Sequence, residues 1–209
     1  MQRSLVGSEM CIRDRYMIDW IVSLASLLVS IVAIVISIQQ TRLSNKQQLF
    51  EKRADKYIEI CELINNCKNT MACLNQKMIL RTSTLVISYL LSPLRVESED
   101  KQLSVITANR HLKKSAVEIS LLWKDKNFKL VEDFFNLYAE LLMKIWNYNF
   151  CYDLIKEEFS ECLSEEIEAR LNHEAEELQL SQQCDALLKV AKQIEQDDIL
   201  LSLKKSIRL

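Results

Sequence analysis

The sequence predicts an all-α protein, with one amino-terminal transmembrane helix followed by a cytoplasmic helical bundle. Three observations carry that expectation. The 209 residues contain one glycine, Gly7, and one proline, Pro93, against roughly 7% and 5% in ordinary chains. The run from Trp20 to Ile38 holds no charge over 19 residues. Beyond it, apolar residues recur at intervals of three and four, the spacing of one helical face. Hairpin turns and phosphate-cradling loops use glycine because other residues resist positive φ. Its scarcity therefore favours helices joined by short polar turns, and excludes the glycine-rich dinucleotide loop, the P-loop and the nucleophile elbow.

The first residues need separate treatment. Ser4 to Arg15 reads SLVGSEMCIRDR, and these twelve residues resemble, in order and in one frame, the translation of a transposase-based sequencing adapter ending in the mosaic end. The resemblance implies that residues 1–16 are an assembly artefact, to be kept out of fold reasoning, and that the natural chain starts at Met17. Setting them aside removes Gly7, Cys11, Arg3, Arg13, Arg15, Glu9 and Asp14. The 27 basic residues become 24 and the 29 acidic become 27, a formal net charge of −3. So even a balance gives no reason to expect nucleic acid as a partner.

Residues 17–39 are the expected anchor. As a helix, Trp20 to Ile38 covers about 28 Å, close to the ~30 Å hydrocarbon core. Twelve of its residues are Leu, Ile or Val, each favouring insertion by about 0.3–0.6 kcal/mol. From Met17, only Asp19 precedes the run, and no small-residue cleavage site follows a short apolar core, so the segment reads as retained rather than cleaved. Arg42, Lys46, Lys52, Arg53 and Lys56 follow it. These are the candidate membrane-surface basic residues, and positive charge stays on the cytoplasmic side. The expected topology is thus a membrane crossed once, with the amino terminus outside and residues 39–209 cytoplasmic. Ser23, Ser26, Ser30, Ala33 and Ser37 recur at intervals of 3, 4, 3 and 4. Such a stripe of small residues is a candidate face for close helix packing, and so for a homo-oligomer.

Residues 40–92 are expected to supply juxtamembrane and buried helices of the bundle. Leu43, Phe50, Tyr57, Ile64, Met71 and Met78 recur every seven residues, a candidate seam for a partner helix. Gln47 and Lys68 interrupt the second apolar line, which favours packing in the chain's own bundle over an extended coiled coil. Met78 to Leu94 is apolar, but Arg81 and Pro93 confine its uncharged run to about eleven residues, too short for a second span. It is expected to be a buried helix ending before Pro93. The stretch 93–100 reads as a loop.

Residues 101–209 are expected to hold the remaining helices. Val105, Ala108, Leu112, Ala116, Ile119 and Leu122 mark one apolar face. Val131, Phe134, Phe135, Tyr138, Leu141, Leu142, Ile145 and Trp146 mark a wider one, the strongest core candidate. Residues 128–152 hold eight of the 15 aromatics, read as core rather than as a ligand pocket. Ser164 begins a further helix whose Glu165 and Glu166 suit the amino-terminal dipole. The acidic run 157–177 reads as a solvated face. Asp197 or Asp198 caps a short terminal helix bearing Ile199, Leu200, Leu203 and Ile207 beside Lys204, Lys205 and Arg208. That helix is expected to close the bundle, the alternative being an anionic membrane surface.

The search for chemistry returns little. Cys61, Cys67, Cys73, Cys151, Cys162 and Cys184 lie in helical patterns and read as small buried apolar groups. Six residues apart, Cys61, Cys67 and Cys73 each turn about 240° from the last, so they do not converge on one metal. The two histidines are His111 and His173. Glu-x-x-His pairs for a di-iron site are missing, since Ala108 and Arg170 stand three positions ahead. The Arg-to-His spacing of helical ribonucleases is also wrong. His173 and Glu177 share a face, an ordinary surface pairing. No catalytic residue, cofactor or metal is therefore assigned.

The run Leu49 to Tyr57, LFEKRADKY, resembles bacterial inner-membrane proteins of unknown function that carry LFEKR-x-x-x-Y just after an anchor. The resemblance covers about the first sixty natural residues and transfers no catalytic residue. The expected function is a membrane-anchored cytoplasmic helical interaction or sensor module of no assigned activity, self-associating, with membrane lipids and an unknown protein as partners. The alternative is a membrane-associated effector of phage-defence or toxin type, which a polar cavity joining His111 or His173 to carboxylates would favour.

Overall fold

The computed structural model describes residues 6–73, 83–96, 100–123, 128–158 and 164–207, and among them every regular element is helical. Side chains are described from residue 19 onward, except those of 71–84, 97–99, 124–127, 156 and 158–164. Several sequence expectations fall outside these limits: Ser4, Leu5, Met78, Arg81, Arg208, the loop residues 97–99, and the side chains of Cys11, Met71, Cys73 and Cys162. The chain falls into two compact units, Met1–Leu49 and Phe50–Leu209.

The first unit contains no tertiary core among its described residues. From Val6 it is part of helix α1, Val6–Cys73. All side chains from Asp19 to Leu49 are exposed, the Trp20–Ile38 run included. By length and composition this is one helix apolar enough to cross a membrane. Three of its serines close on their own backbone. Ser23 Oγ donates to the Asp19 carbonyl at 2.8 Å, Ser26 Oγ to that of Ser23 at 2.9 Å, and Ser30 Oγ to that of Ser26 at 2.8 Å.

The second unit is built of α1 from Phe50, α2 (Ser83–Leu91), a 3₁₀ turn (Ser92–Leu94), α3 (Lys101–Leu122), α4 (Lys129–Glu158), α5 (Ser164–Glu177), α6 (Leu180–Gln196) and α7 (Ile199–Ile207). Helix α4 is its hub, packing against α2, α3, α5 and α6, while α7 packs on α6. Seven of its eight predicted core residues are buried, with Trp146 half-buried. The predicted face of α3 is buried likewise, Leu122 again half-buried at the helix end. Ile60, Leu63, Ile64 and Cys67 of α1, Val86, Ile87 and Leu90 of α2, and Leu187, Ala191 and Ile194 of α6 join the same core. Fully burying one such large side chain contributes about 1.5–3 kcal/mol. Edge-on contacts of Phe134 with Phe135 and Tyr138, centroids 6.1 and 6.0 Å apart, fill the middle of α4 with rings.

The turns show what a glycine-poor sequence does at corners. Arg95, Gln179 and Asp198 take positive φ of 50°, 53° and 52°, the positions glycine ordinarily fills after a helix. Leu178–Gln179 alone joins α5 to α6, and Asp197–Asp198 joins α6 to α7. Asp198 precedes α7, its carbonyl accepting from Ser202 N at 3.0 Å. Part of the stretch expected as a loop is instead the 3₁₀ turn: Pro93 sits in the first positions of that turn, where a missing N–H costs nothing. Asp100 then caps α3, its Oδ1 accepting from Gln102 N at 2.8 Å and Leu103 N at 3.4 Å.

Candidate functional site

The chemistry of the second unit concentrates where α1 meets α3. Lys56 and Glu59 share a face of α1, and Ser115 and Glu118 share one of α3, each pair three residues apart. Lys56 Nζ lies 2.8 Å from Glu59 Oε2 and 2.9 Å from Glu118 Oε2, and donates to Ser115 Oγ at 2.7 Å. Three N–H groups thus meet three acceptors, which satisfies the ammonium. Ser115 Oγ, fully buried, passes its own proton toward Glu59 Oε1 at 2.9 Å. His111 Nδ1 stands 3.6 Å from the same Oε1, and Lys114 Nζ 3.6 Å from Glu118 Oε1.

Burial alone would lower the Lys56 pKa, but the hydrogen bonds and charges of Glu59 and Glu118 outweigh it and hold the group above its ordinary 10.5. The hydrogen bond from Lys56 and the nearby cations pull Glu118 below 4.5 despite its partial burial. Lys56 is therefore a cation at neutral pH and no general base. Ser115 has no face toward solvent from which to attack a substrate. The cluster can hold two helices in register, and its one hydroxyl, that of Ser115, is buried away from any substrate arriving from solvent.

A second polar junction lies at helix ends. Arg53 Nη1 donates to the Ser206 carbonyl at 3.1 Å and Nη2 to the Leu122 carbonyl at 3.0 Å. These carbonyls belong to the last turns of α7 and α3, where no helical N–H remains to satisfy them and the dipole is negative. Trp123 Nε1 donates to Ser206 Oγ at 2.7 Å, and that hydroxyl donates to the Leu203 carbonyl at 2.6 Å. Arg53 Nε, buried, has no hydrogen-bond partner. Deeper in the core, Tyr138 Oη donates to the Leu90 carbonyl at 2.9 Å, and burial pushes its pKa well up.

The residues singled out from sequence are distributed as follows. Ser23, Ser26, Ser30, Ala33 and Ser37 are all exposed on α1. Of the basic group, Arg42, Lys46 and Lys52 are exposed, whereas Arg53 and Lys56 are half-buried in the junctions just described. Of the seam, Leu43 and Phe50 are exposed, Tyr57 packs against the core and Ile64 is buried in it. His173 Nε2 lies 3.9 Å from Glu177 Oε1 on the surface of α5. Cys67 and Cys184 are buried, their thiols pushed up by burial to about 12 and about 11, while Cys61 and Cys151 are half-buried. No group of three His, Cys, Asp or Glu among the described residues is placed to hold a metal.

Sequence reasoning did not assemble Glu59, Ser115 and Glu118 with Lys56. Each alone is an ordinary polar residue on a helix, and only the pairing of α1 with α3 gives them meaning. Within Leu49 to Tyr57, Arg53 and Lys56 engage other helices and Tyr57 packs against the core. Comparison of the chain with protein-family models, with curated proteins and with solved structures finds no match.

Proposed function

We propose that this chain is a single-pass protein of the bacterial inner membrane, amino terminus outside and residues 39–209 cytoplasmic, acting as a helical interaction or sensor module rather than an enzyme. In this reading the helices of Phe50–Leu209 form a cytoplasmic bundle, residues 1–16 derive from an adapter, and copies associate through Ser23, Ser26, Ser30, Ala33 and Ser37. The observation that carries it is the Trp20–Ile38 run, whose side chains are all exposed. An apolar surface that long is unstable in water and is stabilised by lipid. The three acceptors that satisfy Lys56 and the burial of Ser115 support the non-enzymatic part.

The hydroxyls of Ser23, Ser26 and Ser30 already donate to their own helix, so these residues offer close approach rather than donors to a neighbour. Expression from Met17 tests the reading: the protein should resist alkaline carbonate extraction, a reporter fused at its carboxyl terminus should be active in the cytoplasm, and crosslinking should give oligomers. Release by carbonate would sink the anchor. Growth arrest that persists in a monomeric variant of the stripe would replace the module with the effector. Resequencing from adapter-trimmed reads tests the start at Met17.

A further inference from the structure

Helix α3 buries one side and leaves an unusual one outside. Leu103, Ile106, Arg110, Lys113, Val117 and Leu121 fall within an arc of about 100° at 3.6 residues per turn, and all are exposed, Leu121 at 70%. This arc lies opposite the buried face, carries apolar and basic residues, and holds no acidic one. The carboxyl-terminal half of α4 has the converse surface. Phe150 and Leu154, 60% and 50% exposed, stand beside exposed Asp153 and Glu157.

The two surfaces match in charge and in spacing. Read forward, Arg110, Lys113 and Val117 are separated by three and four residues; read backward, Glu157, Asp153 and Phe150 are separated by four and three, so no pair is out of step by more than one residue's rise of about 1.5 Å. With equal rise per residue, antiparallel helices bring each carboxylate opposite a cation and the ring opposite the valine. Within one chain the two helices already pack through their other faces, so the match is available only to another molecule.

We infer that the outer face of α3 is a docking surface for a second copy of this chain, which lays the exposed carboxyl-terminal face of its α4 antiparallel across it. Glu157 meets Arg110, Asp153 meets Lys113, and Phe150 covers Val117. The contact joins two different patches, so each copy offers one of each. It lies wholly within Phe50–Leu209 and does not depend on the membrane reading.

The test uses the full chain in detergent micelles with Ser23, Ser26 and Ser30 changed to leucine, which removes the membrane stripe as a cause of association. Sedimentation should still show association that strengthens with concentration. Arg110→Glu with Lys113→Glu should weaken it by at least about tenfold, as should Asp153→Lys with Glu157→Lys, and the four changes together should restore it, because the charges are exchanged rather than lost. A monomeric starting protein, an unaffected double variant, or a quadruple variant no tighter than either double would overturn the proposal. So would a variant at Arg110 and Lys113 that loses binding to anionic phospholipid vesicles while associating normally, since the face would then belong to lipid. Failure here leaves carbonate extraction and the stripe untouched, so the two readings fall separately.

Discussion

Between Trp20 and Ile38 every apolar side chain of α1 is exposed, whereas Ile60, Leu63, Ile64 and Cys67 of the same helix are almost wholly buried. The polar groups differ in parallel. Ser23, Ser26 and Ser30 bond to carbonyls three or four residues back, while Lys56 and Arg53 reach residues 59 to 153 positions away. Identical backbone thus serves two environments. Where no helix lies alongside, a hydroxyl can only turn back on its own ladder; where helices pack, a polar side chain is retained at the seam because it finds a partner across it.

The largest expected difference lies in the core. Phe134→Ala should destabilise the Phe50–Leu209 unit by about 3–5 kcal/mol, read by chemical denaturation followed at 222 nm, whereas Leu28→Ala in the exposed run should leave that transition unmoved. Equal shifts from both would erase the contrast. Next, Leu28→Arg should raise the free energy of membrane insertion by about 3 kcal/mol, seen as release by carbonate, with the helical unit still folding. A stable, fully membrane-bound arginine variant would mean that the run does not sit in lipid.

Lys56→Met is expected to cost about 2 kcal/mol, since it leaves Glu59 and Ser115 without their shared donor. It should also change the pH profile. Glu118 titrates below 4.5 in the folded chain, so its contribution is present above that pH and is lost as the pH falls through the lowered value. The folded Lys56 pKa is raised above 10.5, so its contribution is full below that pH and is lost only above it. Cys67, raised from 9.0 to about 12, favours the fold below pH 9 and loses that contribution between those values, so it adds to the alkaline limb. The acid limb is therefore the one to read: removing the lysine should make stability fall less steeply below pH 4.5, and an unchanged slope would show that Lys56 does not hold Glu118. The smallest effect is a gain. Gln179→Gly should stabilise by about 0.5–1 kcal/mol by relieving a positive φ, raising Tm by a few degrees.

Much of the fold was legible in the residues. Period 3.6 marked the buried faces of α3 and α4, because burial of one helical stripe writes itself into spacing. The scarcity of glycine pointed to helices, yet it could not say that Arg95, Gln179 and Asp198 would take the corner conformations. The Asp100 cap could have been read from an acidic residue just ahead of an apolar-periodic run. The polar junctions were not legible at all: Lys56 and Arg53 looked like any juxtamembrane cations, and nothing local distinguished them from Lys52, which is exposed.

By itself the sequence determined the helical class, the nineteen-residue uncharged run and the faces that seek burial, because each follows from side-chain chemistry at fixed intervals along one chain. Which helix covers which face, and so whether a cation caps two helix ends or faces solvent, was decided only by tertiary structure. Those outcomes depend on residues up to 153 positions apart, and the interactions that hold them fall off within a few ångströms.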